Sequence, residues 1–283
     1  MFKKIFNYYL LDFQAWQRLN IAIAKGGAMM AARKVDVTQP STWEFSGFSQ
    51  NGEDGVLEVL RSQLGTSNHS FVEIGAGDGV ENNTSWLAVM DKYNGIMVEG
   101  NGWLAGRANR VVLPLCIGAE CLNMFVETDS ISPLKKRMLH LDPDVFSLDI
   151  DGNDYHIAKA ILEQGIRPKI FVVEYNSVFG PERSVTIRYR PGFAYTRNDP
   201  TRLCYGVSLA GWKKFFQDNG YEFVTVERAG VNAFFVDKDL FPREFLDSVK
   251  GLDFASNRFQ QKKFQCTDEE QFKLISDRDL VDI

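Results

Sequence analysis

A glycine-rich turn lies in the segment FVEIGAGDG, residues 71–79, where a short apolar run ends and a helical segment begins. Glycine lets the backbone approach a ligand closely and adopt conformations that a Cβ atom disfavours. The start of a helix presents unpaired N–H groups that favour an anionic group such as a carboxylate or phosphate. The turn is therefore a candidate binding site for a cofactor.

Two acidic residues accompany this turn. Glu73 lies two residues before the first glycine, where a carboxylate can receive the amino group of an amino-acid cofactor. Glu99 lies twenty residues after Gly79, where a carboxylate can accept both hydroxyls of a ribose. Val80 replaces the third glycine of the nicotinamide fingerprint, so the pattern favours S-adenosyl-L-methionine over NAD. The predicted cofactor-binding residues are Glu73, Gly75, Ala76, Gly77, Asp78, Asn83, Glu99, Gly100 and Asn101.

Further polar residues follow two later apolar runs, residues 145–150 and 169–175. In an open α/β sheet, ligands bind beyond the carboxyl ends of the strands, so these residues are expected near the acceptor. Carboxylate and amide oxygens suit Mg²⁺, but a carboxylate here can equally act as a general base, bind by hydrogen bonds or cap the next helix. The predicted metal ligands are Asp149, Asp151, Glu174 and Asn176. The predicted catalytic residues are Asp149, Asp151 and His156, although packing is the simpler role for His156.

The segment from 176 to 207 is long for a connection and is rich in arginine and aromatic residues. Loops of this length within a compact domain are commonly lids or binding loops. Arginine suits carboxylate or phosphate groups, which predicts an acceptor lid. The alternative is a solvated hairpin whose arginines pair with surface acids. The predicted acceptor-binding residues are Glu174, Tyr175, Asn176, Arg190 and Arg197.

These residues need a framework of alternating strands and helices. Predicted strands cover residues 70–74, 95–99, 111–116, 145–150, 169–175, 221–226 and 233–236, and predicted helices cover 82–91, 103–109, 133–140, 155–164 and 208–219. Nearly continuous apolar strands indicate a central parallel sheet, and the short turn 227–232 can join only antiparallel neighbours. The pattern predicts an α/β fold: a Rossmann-like class I methyltransferase sheet, mostly parallel, with a C-terminal antiparallel hairpin and an N-terminal helical extension.

Several motifs together resemble the FkbM-type methyltransferases. They are SQNGED at residues 49–54, FVEIGAGDG, NNT at 82–84, VEGN at 98–101 and LDIDGND at 148–154. The last departs from the family's D-x-E-G-x-E pattern, because Asp151 replaces its glutamate and Asn153-Asp154 replaces the end of the motif. The resemblance implies S-adenosylmethionine-dependent O-methylation of a hydroxyl on a sugar, glycan or glycosylated metabolite. The match covers roughly residues 48–240, the predicted methyltransferase domain, which includes the lid at 176–207. The chain composition predicts an N-terminal helical extension and linker at 1–47 and a helical tail at 241–283.

Two other functions stay open. An NAD-dependent sugar oxidoreductase is disfavoured by the missing third glycine and by the lack of a Tyr-x-x-x-Lys pair after residue 175. A non-catalytic binding module would retain the fold without its chemistry.

Composition limits the remaining possibilities. The chain has 283 residues, 45% of them apolar, and a net charge of −5, which gives no reason to expect a nucleic-acid partner. Four cysteines without metal-site spacing predict reduced thiols in a cytoplasmic protein. No stretch approaches the roughly 18 apolar residues of a membrane span. Residues 1–24 predict an amphipathic helix packed on the protein body or on a second subunit of a homo-oligomer, with weak peripheral membrane contact as an alternative because Lys3 and Lys4 suit anionic lipid.

Overall fold

A seven-stranded sheet forms the centre of the protein. The computed structural model describes residues 2–195 and 199–283, with side chains from residue 10 onward. The strands are β1 (Ser70–Ile74), β2 (Asn94–Glu99), β3 (Ala119–Asn123), β4 (Val145–Leu148), β5 (Ile170–Glu174), β6 (Val185–Ile187), β7 (Tyr221–Val226), β8 (Asn232–Asp237) and β9 (Leu280–Asp282).

The strand order of the large sheet is β3-β2-β1-β4-β5-β8-β7. Strands β1 to β5 are parallel, whereas β8 runs antiparallel to both β5 and β7. This mostly parallel sheet with its antiparallel hairpin confirms the predicted Rossmann-like class I methyltransferase fold. The order reverses between β1 and β4, so a crevice opens at their carboxyl ends.

Helices cover both faces of the sheet. The helices are α1 (Phe2–Ala32), α2 (Glu53–Ser62), α3 (Ser85–Met90), α4 (Gly102–Val111), α5 (Ile131–Lys135), α6 (Asp154–Glu163), α7 (Leu209–Asp218), α8 (Arg243–Ser248), α9 (Arg258–Phe264) and α10 (Asp268–Lys273). One core layer lies under α2, α3, α4 and α8, and the other lies under α5, α6 and α7. Successive β1 residues Phe71 and Val72 enter opposite layers, as expected of a strand buried on both faces.

The N-terminal helix α1 packs on the protein body, as predicted. Ala15, Leu19 and Ala22 are buried against a cluster that includes Phe45 and Trp86. No helix in the parts of the chain that the structure describes is both long and apolar enough to cross a membrane.

The tail after residue 240 covers the long segment that follows β5. Strand β9 pairs antiparallel with β6, which lies inside that segment. Phe179, Tyr205 and Ile275 are buried in a cluster shared by the segment and the tail. The tail therefore holds the segment in place, a pairing that the sequence analysis did not predict.

The predicted third strand was wrong. Residues 111–116 continue α4 and then form a 3-10 turn at Leu113–Leu115, with Val111 and Val112 packed in the cluster beneath α1. Pro114 lacks an N–H group for a sheet ladder and favours the turn. The true strand, Ala119–Asn123, lies at the sheet edge with little buried surface, so it has no continuous apolar run.

The other predicted elements agree with the structure to within a few residues, although the predicted helix at 133–140 is only the five-residue α5. Helix α2 was not predicted. It follows the turn at Gly52 and buries Val56, Leu57 and Leu60 in the core.

A buried ion pair fixes the amino ends of β4 and β5. The Lys169 Nζ atom lies 2.8 Å from Asp144 Oδ1 and donates to the Thr66 carbonyl. The ammonium group holds the pKa of Asp144 below its usual value, against the opposing effect of burial.

We predict that Lys169→Met lowers the free energy of unfolding by about 3–5 kcal/mol, because it leaves the Asp144 carboxylate buried without its cation. Urea unfolding measures this loss. Lys159→Met is the control, because its pair with Glu163 is exposed. Equal stability of Lys169→Met and the control would show that the buried ion pair does not stabilise the fold.

Candidate functional site

A cleft of about 690 Å³ opens at the carboxyl ends of β1, β2 and β4, on both sides of the strand-order reversal. Its lining residues are Gln50, Ile74, Gly75, Glu81, Val98, Glu99, Gly100, Asn101, Met124, Phe125, Val126, Asp149, Ile150, Asp151, Asn153, Phe193 and Ala194. This is where an open α/β sheet places its ligand. Predicted cofactor and catalytic residues thus meet in one place.

The glycine turn brings β1 and β4 into close contact. Gly75 has a φ of +94°, and a Cβ atom built there would lie 1.6 Å from the Asp149 carbonyl oxygen. The Gly75 and Ala76 amides both donate to the Val98 carbonyl, which holds the turn against the end of β2. Glycine at 75 is therefore required for the cleft floor to form.

Glu99 lies at the cleft beside this turn. Its Oε2 accepts from the Gly77 amide at 2.9 Å, and its Oε1 accepts from the Asn101 amide at 2.7 Å. Asn101 in turn caps α4 by accepting from Trp103 N. Because each carboxylate oxygen can accept more than one hydrogen bond, the fixed Glu99 carboxylate can still bind a pair of hydroxyls.

Glu73 is not a cleft residue, contrary to the prediction. Its carboxylate is buried and accepts from the Asn83 and Thr84 amides and from the Thr84 hydroxyl. Burial raises the pKa of Glu73 to about 7, although these hydrogen bonds oppose the shift. The Asn83 side chain is turned away too and donates to Ser147 Oγ at 3.0 Å. Both residues shape the segment between β1 and α3.

Asp78 also does not line the cleft. Its carboxylate forms ion pairs with Arg107 at 3.0 Å and with Arg18 of α1 at 3.1 Å, and it accepts from Val80 N. Ala76 is fully buried. The predicted cofactor residues that face the cleft are Gly75, Glu99, Gly100 and Asn101.

Three carboxyl groups converge at the carboxyl ends of β4 and β5, and two of them, Asp149 and Asp151, line the cleft. Oxygens of Asp149, Asp151 and Glu174 lie within 4.8 Å of one another. Burial, followed by the charge of Asp151, raises the pKa of Asp149 well above its usual range, and burial followed by Asp149 does the same for Glu174. Burial and the neighbouring Asp154 raise the pKa of Asp151 to about 6. Like charges this close to one another disfavour ionisation of the group, and a bound cation would oppose that effect.

Asp154 shapes the loop that carries two of these acids. Its carboxylate accepts from the Ile150 amide at 3.0 Å and from the Gly152 amide at 2.8 Å. The loop includes Asp151 with a φ of +52°, a conformation that few non-glycine residues adopt.

The predicted metal and acceptor residues after β5 are not assembled as expected. Asn176 donates to the Leu203 and Tyr205 carbonyls and accepts from Val178 N, so its amide supports the chain rather than a ligand. Tyr175 points into the core, where its hydroxyl donates to the Ala255 carbonyl.

His156 and the lid arginines are also elsewhere. The His156 Nε2 atom lies 3.0 Å from the Ile187 carbonyl, outside the cleft, and burial lowers its pKa. Arg190 lies near Asp279 of the tail, as does Arg188. Arginine pairing with acids, the alternative considered for this segment, is thus what the structure has at both positions. Arg197 lies outside the described residues.

Sequence reasoning missed several cleft residues. Met124 and Phe125 follow β3, whose position was predicted wrongly, so they were never placed at a strand end. Phe193 comes from the long segment 176–207. The aromatic content of that segment was the only sequence signal that favoured a binding role for it. Glu81, which pairs with Arg18, carried no motif.

The cleft has a negative lining. It contains Glu81, Glu99, Asp149 and Asp151, and none of the lining residues that the structure describes is basic. Such a lining favours a cationic or neutral ligand over a pyrophosphate, because none of the described lining residues supplies a cation to an anionic ligand.

Comparisons with known proteins show structural likeness only. No model of a protein family matches the chain, and no curated protein matches it. A structure titled as an O-methyltransferase from Bacillus cereus with SAH is 16% identical, with a TM-score of 0.43 and coverage of 77% of this chain and 89% of that one. The SAH-bound N-terminal domain of EvdMO1 is 14% identical, with a TM-score of 0.40 and coverage of 65% and 79%. Because one fold supports many functions, an activity for this chain has to come from its own site.

We predict that Gly75→Ala reduces stability by more than the usual range of about 0.5–3 kcal/mol for single substitutions. The added Cβ collides with the Asp149 backbone, which cannot move without opening the sheet end. Gly77→Ala is the matched control: its φ is +58°, but its Cβ would meet only Glu81 O at 3.8 Å. Chemical unfolding should show a loss of about 1–2 kcal/mol for this control. Equal losses would show that close contact at Gly75 is unimportant.

Proposed function

We propose that this protein is an S-adenosyl-L-methionine-dependent methyltransferase. The observation that carries the proposal is the fixed Glu99 carboxylate in a negatively lined cleft at the strand-order reversal. S-adenosyl-L-methionine has a sulfonium and an ammonium against a single carboxylate, so it is net cationic and suits this lining. The pyrophosphate of NAD carries negative charge and does not.

The cleft suggests how the cofactor lies. Glu99 accepts the two ribose hydroxyls, and the exposed Phe125 ring offers an apolar surface for the adenine. The methionine portion then extends along the Gly75 turn towards Asp149. This direction brings the transferable methyl group to the acidic side of the cleft.

The acceptor is proposed to be a hydroxyl of a sugar, glycan or glycosylated metabolite. Asp149 and Asp151 offer hydrogen-bond acceptors for sugar hydroxyls, and Phe193 adds an aromatic side chain to the same cleft. Methyl transfer is a displacement reaction, so alignment of the acceptor oxygen with the methyl group accounts for much of the rate. The FkbM-type family, the catalytic domain at 48–240 and an acceptor lid at 176–207 remain part of this proposal. The free cysteines fit a cytoplasmic location.

Asp151 is the favoured general base. Its carboxyl lines the cleft, and its pKa of about 6 leaves it largely ionised yet basic at neutral pH. Mg²⁺ is the less favoured alternative: Asp149, Asp151 and Glu174 supply oxygen donors, but the Asn176 oxygen is already bonded to Val178 N. When bound, such an ion would lower the pKa of the acceptor hydroxyl.

The two other functions have less support. An NAD-dependent oxidoreductase needs a site for a pyrophosphate, and this cleft supplies carboxylates instead. A non-catalytic binding module would not need the protonatable acids Asp149 and Asp151 beside the proposed methyl donor.

We predict that S-adenosylhomocysteine binds to the purified protein in calorimetric titration and that NAD does not. Glu99→Ala should weaken binding by about 2 kcal/mol, roughly thirtyfold, because two ribose hydroxyls lose their acceptor. Glu120→Ala is the control, since this exposed β3 residue pairs with Arg137 away from the cleft. Glu99→Gln tests whether the shape of this side chain is sufficient for ribose binding without its negative charge. Binding of NAD, or full affinity of Glu99→Ala for S-adenosylhomocysteine, would refute the proposed cofactor site.

We predict that Asp151→Asn lowers methyl transfer from a tritiated donor to a panel of methyl glycosides by about 10²–10⁴-fold, the usual contribution of a general base. In the unmodified protein kcat/KM should rise with pH through about 6, as the Asp151 carboxyl ionises, and this limb should disappear in the variant. EDTA should leave the rate unchanged. Loss of activity on chelation and recovery with Mg²⁺ would favour the metal alternative.

A further inference from the structure

Helix α1 presents a broad apolar face to solvent. Leu10 is 44% exposed, Phe13 59%, Trp16 46% and Ile21 64%, whereas Leu19 on the opposite side is fully buried. At about 100° per residue, the four exposed side chains all lie away from the buried side of the helix. Clusters of large exposed apolar side chains commonly mark an interaction surface.

The charged residues in the middle of α1 point towards the protein body instead. Asp12 forms an ion pair with Arg110 at 2.9 Å, and Arg18 pairs with Asp78 and Glu81 at 3.1 and 2.9 Å. The usual arrangement of a surface helix is therefore partly inverted. These ion pairs also hold the helix on the body, so that its apolar side stays outward.

The other charges of α1 are all positive. Asp12 is the only acidic residue of the helix, and Lys3, Lys4 and Lys25 accompany Arg18. Lys25 is exposed and takes part in no ion pair with any residue whose side chain the structure describes. The exposed face carries Leu10, Phe13 and Trp16, with the exposed Lys25 beside Ile21, and the acid Asp12 is paired with Arg110. Such a face is complementary to an anionic surface with an apolar interior.

We propose that α1 docks this protein on an anionic lipid bilayer, with the helix axis parallel to the membrane plane. Interfacial helices bind through an apolar face inserted at the acyl boundary and through basic residues at the headgroups. Tryptophan also favours this boundary. A second copy of the chain is the weaker candidate, because its α1 offers no unpaired acid to complement Lys25.

The docking face lies beside the proposed catalytic cleft. A groove of about 500 Å³ between α1 and the body is lined by Arg18, Ile21 and Lys25, and it shares Gln50 and Glu81 with the cleft. A bilayer contacting α1 therefore lies near the cleft entrance. The docking surface itself does not depend on the chemistry in the cleft.

Co-sedimentation of the full chain with vesicles tests the proposal. We expect binding to vesicles of phosphatidylcholine mixed with anionic phosphatidylglycerol, whose headgroups attract basic residues, and much weaker binding to phosphatidylcholine alone. Phe13→Ser with Ile21→Ser should reduce the partition coefficient about tenfold or more, because two inserted side chains are lost. The matched control is Ile117→Ser with Leu139→Ser, two residues away from α1 that are more exposed than Phe13 and Ile21.

Charge is tested separately. Lys25→Glu should weaken binding to the anionic vesicles several-fold, and the exposed Lys238→Glu should not. Circular dichroism confirms that each variant is folded. Absence of binding to anionic vesicles, or undiminished binding of the Phe13 and Ile21 variant, would overturn the proposal. A dimer in analytical ultracentrifugation that dissociates in that variant, without vesicle binding, would show that a second copy covers the face.

Discussion

The close contact between the ends of β1 and β4 is the constraint on which the site depends. At Gly75 the backbone of one strand lies against the carbonyl of Asp149 from the other, in a space that admits no Cβ atom. This contact forms the floor of the cleft at the point where the strand order reverses. It also brings the glycine turn, Glu99 and the β4 acids within reach of one ligand.

Buried carboxylates divide into two groups by their partners. Glu73 and Glu227 accept several backbone amides each and thereby fix the turns that surround the sheet ends. Asp149 and Asp151 instead line the cleft, where burial and the charge of Asp151 disfavour ionisation of Asp149. The first group builds the site, and the second gives it acidity and charge. A net cationic cofactor matches that charge.

The sequence predicted the sheet well where strands are buried on both faces, because β1, β4 and β5 are continuous apolar runs. It failed at β3, an edge strand with an unremarkable pattern, and thereby missed Phe125. Residue type placed Glu99 and Asp149 at the cleft correctly, since strand ends determine where such side chains lie. Residue type could not distinguish these two cleft residues from Glu73, Asp78 and Asn176. Only the fold shows which acids and amides already form hydrogen bonds or ion pairs with the backbone or with arginine.

The most direct test of the central claim is a crystal structure of the protein with S-adenosylhomocysteine. The account predicts both ribose hydroxyls within hydrogen-bond distance of the Glu99 carboxylate and the sulfur directed towards Asp149 and Asp151. Electron density for the nucleoside outside this cleft, or a ribose bound without Glu99, would contradict it.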